Sequence, residues 1–220
     1  MRRTHIPIIS LMRSGSSELV ADLALNSPVA MRSLGEPFNE RRGSTFKGVP
    51  GDPSKNDPLK LLRAKATRNM TASRFFVFKV FSGHLALPQL GRLLSTPTVC
   101  PVVLERSNAT ERACSLAYAR QTNDWSGHER KGGKGSRWHP TCEKPATASD
   151  LRERLAAERA QQTWFANVRK ELQQHRRPHL WLTMEFVAAE RRRALDAIYG
   201  FCGVGGATNL SRPLLHAQKY

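Results

Sequence analysis

Short apolar runs with β-branched content are each followed by a polar turn and then by apolar positions recurring at helical spacing, so strands alternate with helices along the chain. The first run, Ile6 to Leu11, reads as a buried strand. Arg13-Ser14-Gly15-Ser16-Ser17 follows at once, and a helix opens with Leu19, Val20 and Leu23 on one side and Glu18, Asp22 and Asn26 on the other. Ser27 to Met31 predicts a short second strand, leading into a loop that carries Gly35, Glu36 and Pro37. Leu59 to Ala72 predicts a basic helix, with Leu62, Ala66 and Met70 opposite Lys60, Arg63, Lys65 and Arg68. Phe75 to Phe81, FFVFKVF, is the strongest strand pattern, apolar on both faces except at Lys79.

The alternation continues. Leu85 to Leu94 predicts a short helix, and Val99 to Leu104 a strand with Pro101 near its start, where a missing N–H is tolerated. Asn108 reads as the N-cap of the next helix, with Glu111 three residues on in capping-box spacing. From Ser149 a long helix is predicted to about His175, with Leu151, Leu155, Phe165, Val168 and Leu172 along one side. Leu180 to Val187 predicts a last strand with Glu185 near its C-terminal end, and Ala188 to Phe201 a helix that stops at Gly203. Five strands separated by helices predict an α/β fold around a mainly parallel central sheet. Residues about 43–57 and 126–147 read as exposed loops, and 209–220 as a basic tail.

Composition adds a partner class. A chain of 220 residues with 40% apolar content is expected to form a single domain, 1–220. Its net charge of +17 and pI near 10.7 imply an anionic partner: a nucleotide, an acidic polysaccharide, nucleic acid or a membrane surface. The four cysteines are widely spaced and contain no C-x-x-C pair, so neither a zinc ribbon nor a disulfide framework is expected, and a reducing compartment fits. His139 and Cys142 have ligand-like spacing but no second pair to join them, and no metal is expected. Met1-Arg2-Arg3 leads directly into the first strand with no long apolar segment, which predicts a cytoplasmic protein without a membrane span.

The turn at Arg13 to Ser17 is the first candidate for chemistry. A strand, a small-residue turn and a helix N-terminus together form an anion cradle, because the first N–H groups of a helix lack partners and its dipole favours negative charge. The turn lacks the lysine of G-x-x-x-x-G-K-[ST], and by itself it serves equally well as an ordinary connection. Glu36 falls at a strand's C-terminal edge, where open α/β sheets place their ligand crevice, although spacing alone favours a solvated loop carboxylate. Lys79 either snorkels outward or points into that crevice. Arg106 at a strand end and Ser115 about two turns into the following helix supply a second candidate anion site.

The ordered pair SLMRSGSSELVADLA and VVLERSNATERACSLAYARQTNDW resembles the sulfotransferases that use 3′-phosphoadenosine 5′-phosphosulfate (PAPS) as sulfuryl donor. The similarity is nearest to the bacterial carbohydrate enzymes that modify trehalose glycolipids and nodulation oligosaccharides. It extends to LGEPF, which resembles the family's GEP segment, to ARQTNDW, similar to A-x-Q-T-G-x-W, and to FCGV, similar to F-L-G-V. LTMEFV stands in the place of RYEDL, with Met184 and Phe186 replacing the Tyr and Asp.

This resemblance implies a P-loop-like three-layer fold and an EC 2.8.2 type of activity. It implies that Arg13, Ser14, Gly15, Ser16 and Ser17 hold the 5′-phosphosulfate, and that Arg106 and Ser115 hold the 3′-phosphate. Glu36 would be the catalytic base and Lys79 a cation for the leaving group, adenosine 3′,5′-bisphosphate (PAP). The acceptor would be a carbohydrate or glycolipid hydroxyl, with an anionic acceptor attractive for so basic a chain. Glu18 departs from the family's usual Leu and is expected to face solvent. Rival readings are a basic nucleic-acid-binding protein, a P-loop kinase, disfavoured by the absent Walker lysine, and a nucleotide-binding homologue without turnover.

Overall fold

Five short strands form a single parallel sheet whose three central members are too apolar to face water and are buried, while the edge strands are only partly covered. A computed structural model describes residues 3–39, 57–68, 73–122 and 148–205. The strands are β1 (Thr4–Ser10), β2 (Met31–Ser33), β3 (Phe75–Phe81), β4 (Val102–Glu105) and β5 (Leu180–Thr183). Their order across the sheet is β2-β3-β1-β4-β5, and every pairing is parallel. The helices are α1 (Ser16–Leu25), α2 (Pro58–Arg68), α3 (Leu87–Ser95), α4 (Ala109–Thr122), α5 (Ala148–Gln174), α6 (Met184–Ala189) and α7 (Arg191–Cys202).

Alternation along the central strands sends side chains into two cores. Ile6, Ile8, Val77, Val102 and Leu104 pack with Leu19, Val20 and Leu23 of α1 and with Leu195, Ile198 and Tyr199 of α7. Ile9, Phe78, Val80 and Val103 pack on the other face with α2, α3 and α5, through Leu62, Leu90, Leu93, Phe165, Val168 and Leu172. The result is the expected three-layer α/β architecture. Each fully buried Leu, Ile or Val contributes about 1.5–3 kcal/mol relative to exposure. Because β1 is flanked by β3 on one side and β4 on the other, the chain reverses its direction of travel at β1, and the C-terminal ends of these strands frame a crevice.

Several element bounds differ from the sequence-based expectation for local reasons. The second strand is displaced from Ser27–Met31 to Met31–Ser33, where Met31 to Ser33 align with Phe75 to Val77. Val99 makes only an isolated bridge with His5, and β4 begins after Pro101, whose carbonyl accepts from the Leu180 N–H at 3.1 Å. The last strand ends at Thr183 rather than Val187. The Thr183 side chain accepts from the Phe186 N–H at 3.2 Å, an N-cap that turns MEFVAA into α6. Leu155, expected on the apolar side of α5, is 53% exposed, and among the described side chains of this helix the buried ones are Gln161, Trp164, Phe165, Val168 and Leu172. Gly203 closes α7 in the left-handed region, as its position predicts.

No described helix is long and apolar enough to cross a membrane. Among the described residues, no group of three or more His, Cys, Asp and Glu side chains is gathered as a metal site would need. The expected loops at about 43–57, of which only Asp57 is described, and 126–147, with His139 and Cys142, and the expected tail at 209–220 lie outside the described residues.

Candidate functional site

Four chain segments reach the C-terminal edge of the sheet together: the turn after β1, the loop after β2, the end of β3 and the loop after β4. The turn after β1 has an unusual backbone. Arg13 has φ 66° and Gly15 φ 72°, and a non-glycine residue in the left-handed region costs about 1–2 kcal/mol. Backbone strain of this kind concentrates at ligand-binding turns. Gly15 is the N-cap of α1 and offers no side-chain cap, so the first N–H groups of the helix remain available. Met184 at the start of α6 lies against it, and a Cβ on Gly15 would overlap the Met184 sulfur.

Two side chains of this turn point inward. Ser14 and Ser16 are buried, and the Ser14 hydroxyl has no hydrogen-bond partner among the described residues. A buried hydroxyl beside open N–H groups is a donor set that suits an anion. Glu18 turns away, as its chemistry demands: its carboxylate lies 3.2 Å from Arg191 Nη1, and Arg191 also pairs with Asp22. Hydrogen bonding to Asp22, helped by the charges of Asp22 and Glu18, raises the Arg191 pKa further.

The loop after β2 and the end of β3 share a buried ion pair. Lys79 Nζ lies 2.7 Å from Glu36 Oε1, with the two side chains only 10% and 7% exposed. The same ammonium donates to Ser17 Oγ at 2.9 Å, and Glu36 Oε2 accepts from Asn39 Nδ2 at 2.5 Å. Lys79 therefore points into the crevice, and Glu36 is no solvated loop carboxylate. The backbone reinforces this placement, since the Lys79 N–H donates to the Gly35 carbonyl at 2.8 Å.

The two anion candidates also meet. Arg13 Nε donates to Ser115 Oγ at 2.8 Å, and Arg106 Nη1 donates to the Arg13 carbonyl at 3.2 Å. Arg106 Nη2 pairs with Glu111 at 2.7 Å. The Arg106 backbone is fixed from α5, where Gln161 Nε2 donates to its carbonyl at 3.1 Å while Gln161 Oε1 accepts from the buried Arg112 Nε at 2.7 Å. Burial, followed by the nearby charge of Arg106, lowers the Arg112 pKa.

Three further side chains join the site in places that the sequence pattern does not give them. Glu185, expected at a strand end, sits in the first turn of α6 and accepts from the N–H groups of Ser107 and Asn108, each at 3.2 Å. Burial pushes its carboxyl pKa up, but hydrogen bonds from its own N–H and from those of Ser107 and Asn108, with the Ser107 side chain, outweigh that and hold it below the usual range. Thr183 as an N-cap is the cue that would have found it. His84, just past β3, feels Glu36 and Lys79; burial lowers its pKa against the raising effect of Glu36, and Lys79 lowers it further. Met184 occupies the space above Gly15, which no periodicity reveals.

No family model and no curated protein matches the sequence. Among solved structures, the chain is similar to the sulfotransferase domain of the curacin biosynthetic pathway, at a TM-score of 0.54 and 17% identity over 98% of this chain and 79% of that one. A retinol dehydratase solved with retinol and PAP gives a TM-score of 0.43 at 16% identity, over 94% of this chain and 62% of that one. The fold is that of the curacin sulfotransferase domain.

Proposed function

We propose that the protein is a PAPS-dependent sulfotransferase acting on a hydroxyl of a carbohydrate or glycolipid. One observation carries the reading. Arg13, Ser115 and Arg106 are joined in one hydrogen-bonded group, beside a strained turn with a buried hydroxyl that has no partner among the described residues and a buried Glu36–Lys79 pair that bonds to Ser17. The sulfotransferase fold supports it, as does the sequence resemblance of the same segments to the carbohydrate enzymes.

In this reading the N–H groups of Ser14 to Ser17, the Ser14 hydroxyl and the Arg13 guanidinium hold the phosphosulfate, and Arg106 and Ser115 hold the 3′-phosphate. The acceptor oxygen attacks sulfur as the bond from sulfur to the 5′-phosphate oxygen breaks, and PAP leaves. Glu36 takes the acceptor's proton, a role worth about 10²–10⁴ in rate. Lys79 starts as the counter-ion of Glu36 and, bonded to Ser17, stands beside the charge that develops on the leaving oxygen. As with phosphoryl transfer, positioning and charge stabilisation supply most of the acceleration.

A second reading, a nucleotide binder without turnover, is favoured by one observation: both Glu36 oxygens are already engaged, by Lys79 and Asn39. Transfer of labelled sulfate from PAPS into carbohydrate and glycolipid fractions of a cell extract decides between them. Label in a hydroxyl-bearing product supports transfer, and PAP binding with no labelled product supports the second reading.

A further inference from the structure

Glu111 goes where its local sequence alone would not send it. In the spacing Asn108-x-x-Glu111, the Asn side chain accepts from the Glu N–H, and the Glu side chain ordinarily reaches back to the Asn N–H. Half of this box forms, with Asn108 Oδ1 accepting from the Glu111 N–H at 3.0 Å. The other half is pre-empted, because Glu185 takes the Asn108 N–H and the Ser107 N–H as well. Displaced from the cap, the Glu111 carboxylate lies on Arg106 Nη2 at 2.7 Å.

The guanidinium of Arg106 is thereby divided. Nη1 ties it to the carbonyl of Arg13, whereas Nη2 meets a carboxylate on a side chain that is 53% exposed. A carboxylate and a phosphate oxygen compete for the same guanidinium donors, and the exposed, rotatable one is the partner that can be displaced. If Glu111 stays in place when phosphate arrives, two anions crowd one cation; if it swings away, its ion pair is lost. Either way its charge opposes a phosphate on Arg106.

We propose that Glu111 is a specificity-determining residue, a built-in competitor for the 3′-phosphate on Arg106 that limits the preference for 3′-phosphorylated nucleotides. This rests on the assignment of Arg106 and Ser115 to the 3′-phosphate given above. Because the pair is largely exposed at Glu111, it contributes little to the stability of the fold, and an isosteric neutral variant remains folded.

The test is calorimetric titration of wild type and Glu111→Gln with PAP and with AMP, which lacks the 3′-phosphate. The variant is expected to bind PAP at least threefold more tightly, with AMP affinity unchanged within twofold. A smaller gain for PAP, a loss, or an equal gain for AMP overturns the role of Glu111 while leaving the donor site standing, provided wild type prefers PAP to AMP. Wild type without that preference removes the assignment of Arg106, and the competitor role with it.

Discussion

Replacing Glu36 by Gln separates what the Glu36–Lys79 pair does for stability from what Glu36 does in transfer. Two unit charges 2.7 Å apart attract by about 6 kcal/mol at an effective dielectric constant of 20. Each ion also lost several kcal/mol of hydration on burial, so the intact pair adds little net stability. Removing one partner leaves the other buried without compensation, at a cost of about 3–5 kcal/mol. Glu36→Gln retains a carbonyl for Lys79 and Ser17 remains bonded, so its cost falls at the lower end, about 3 kcal/mol. Lys79→Met strands a carboxylate that still holds Asn39, with a similar cost of about 3 kcal/mol.

The double variant has no buried charge left to strand, and its cost should fall short of the sum by about 1–3 kcal/mol. Urea unfolding of the four proteins, with unchanged m-values, measures this coupling. In single-turnover assays, Glu36→Gln should lower transfer by about 10²–10⁴ while PAP affinity stays within about threefold. Additivity of the two single variants to within about 0.5 kcal/mol would refute the coupled pair. Equal loss of PAP binding and transfer would refute Glu36 as the base.

Arg106→Ala should weaken PAP binding by at least tenfold and AMP by less than threefold, as titrations of both ligands would show; parallel losses would misplace the second anion site. Gly15→Ala forces a Cβ into a backbone at φ 72° and against Met184. It should destabilise the fold by about 1–2 kcal/mol in urea, and adding Met184→Ala should restore only part of that, because the backbone strain remains. His5 is buried on β1, and its pKa is lowered to about 4 by burial first, then by Arg3 and Arg63. The unfolded chain therefore takes the proton first. The contribution of His5 to stability is constant above about pH 7, falls by roughly 3 kcal/mol as pH drops from 6.5 to 4, and then levels off. Unfolding of wild type and His5→Leu across this window checks the assignment, and an unchanged slope in the variant would end it.

Much of this architecture is legible in the chain because each buried strand is a continuous apolar run and each turn is chemically distinct. Phe75 to Phe81 declares β3 without help, and Gly203 marks the end of α7. The fourth and fifth strands were harder. Pro101 shortens one, and Thr183 converts an apolar run into a helix by a single hydroxyl–amide bond. The anion-site candidates were legible residue by residue, but their mutual contacts were not, since Arg13 and Ser115 are 102 residues apart and meet only through the order of the strands. Glu111 shows the limit most clearly. Its spacing says capping box, and only a carboxylate from α6 redirects it to Arg106.

The central claim is that the crevice binds a nucleotide carrying both 5′- and 3′-anions, and ligand-dependent thermal unfolding tests it most directly. At a hundredfold excess over Kd, a ligand specific to the folded state adds about 2.7 kcal/mol, which raises Tm by roughly 2–4 °C for a chain of this size. PAP should give this shift, with AMP and ATP well below it at equal concentration. Stabilisation by an oligonucleotide with none from PAP would contradict the account and leave a basic nucleic-acid-binding protein in its place.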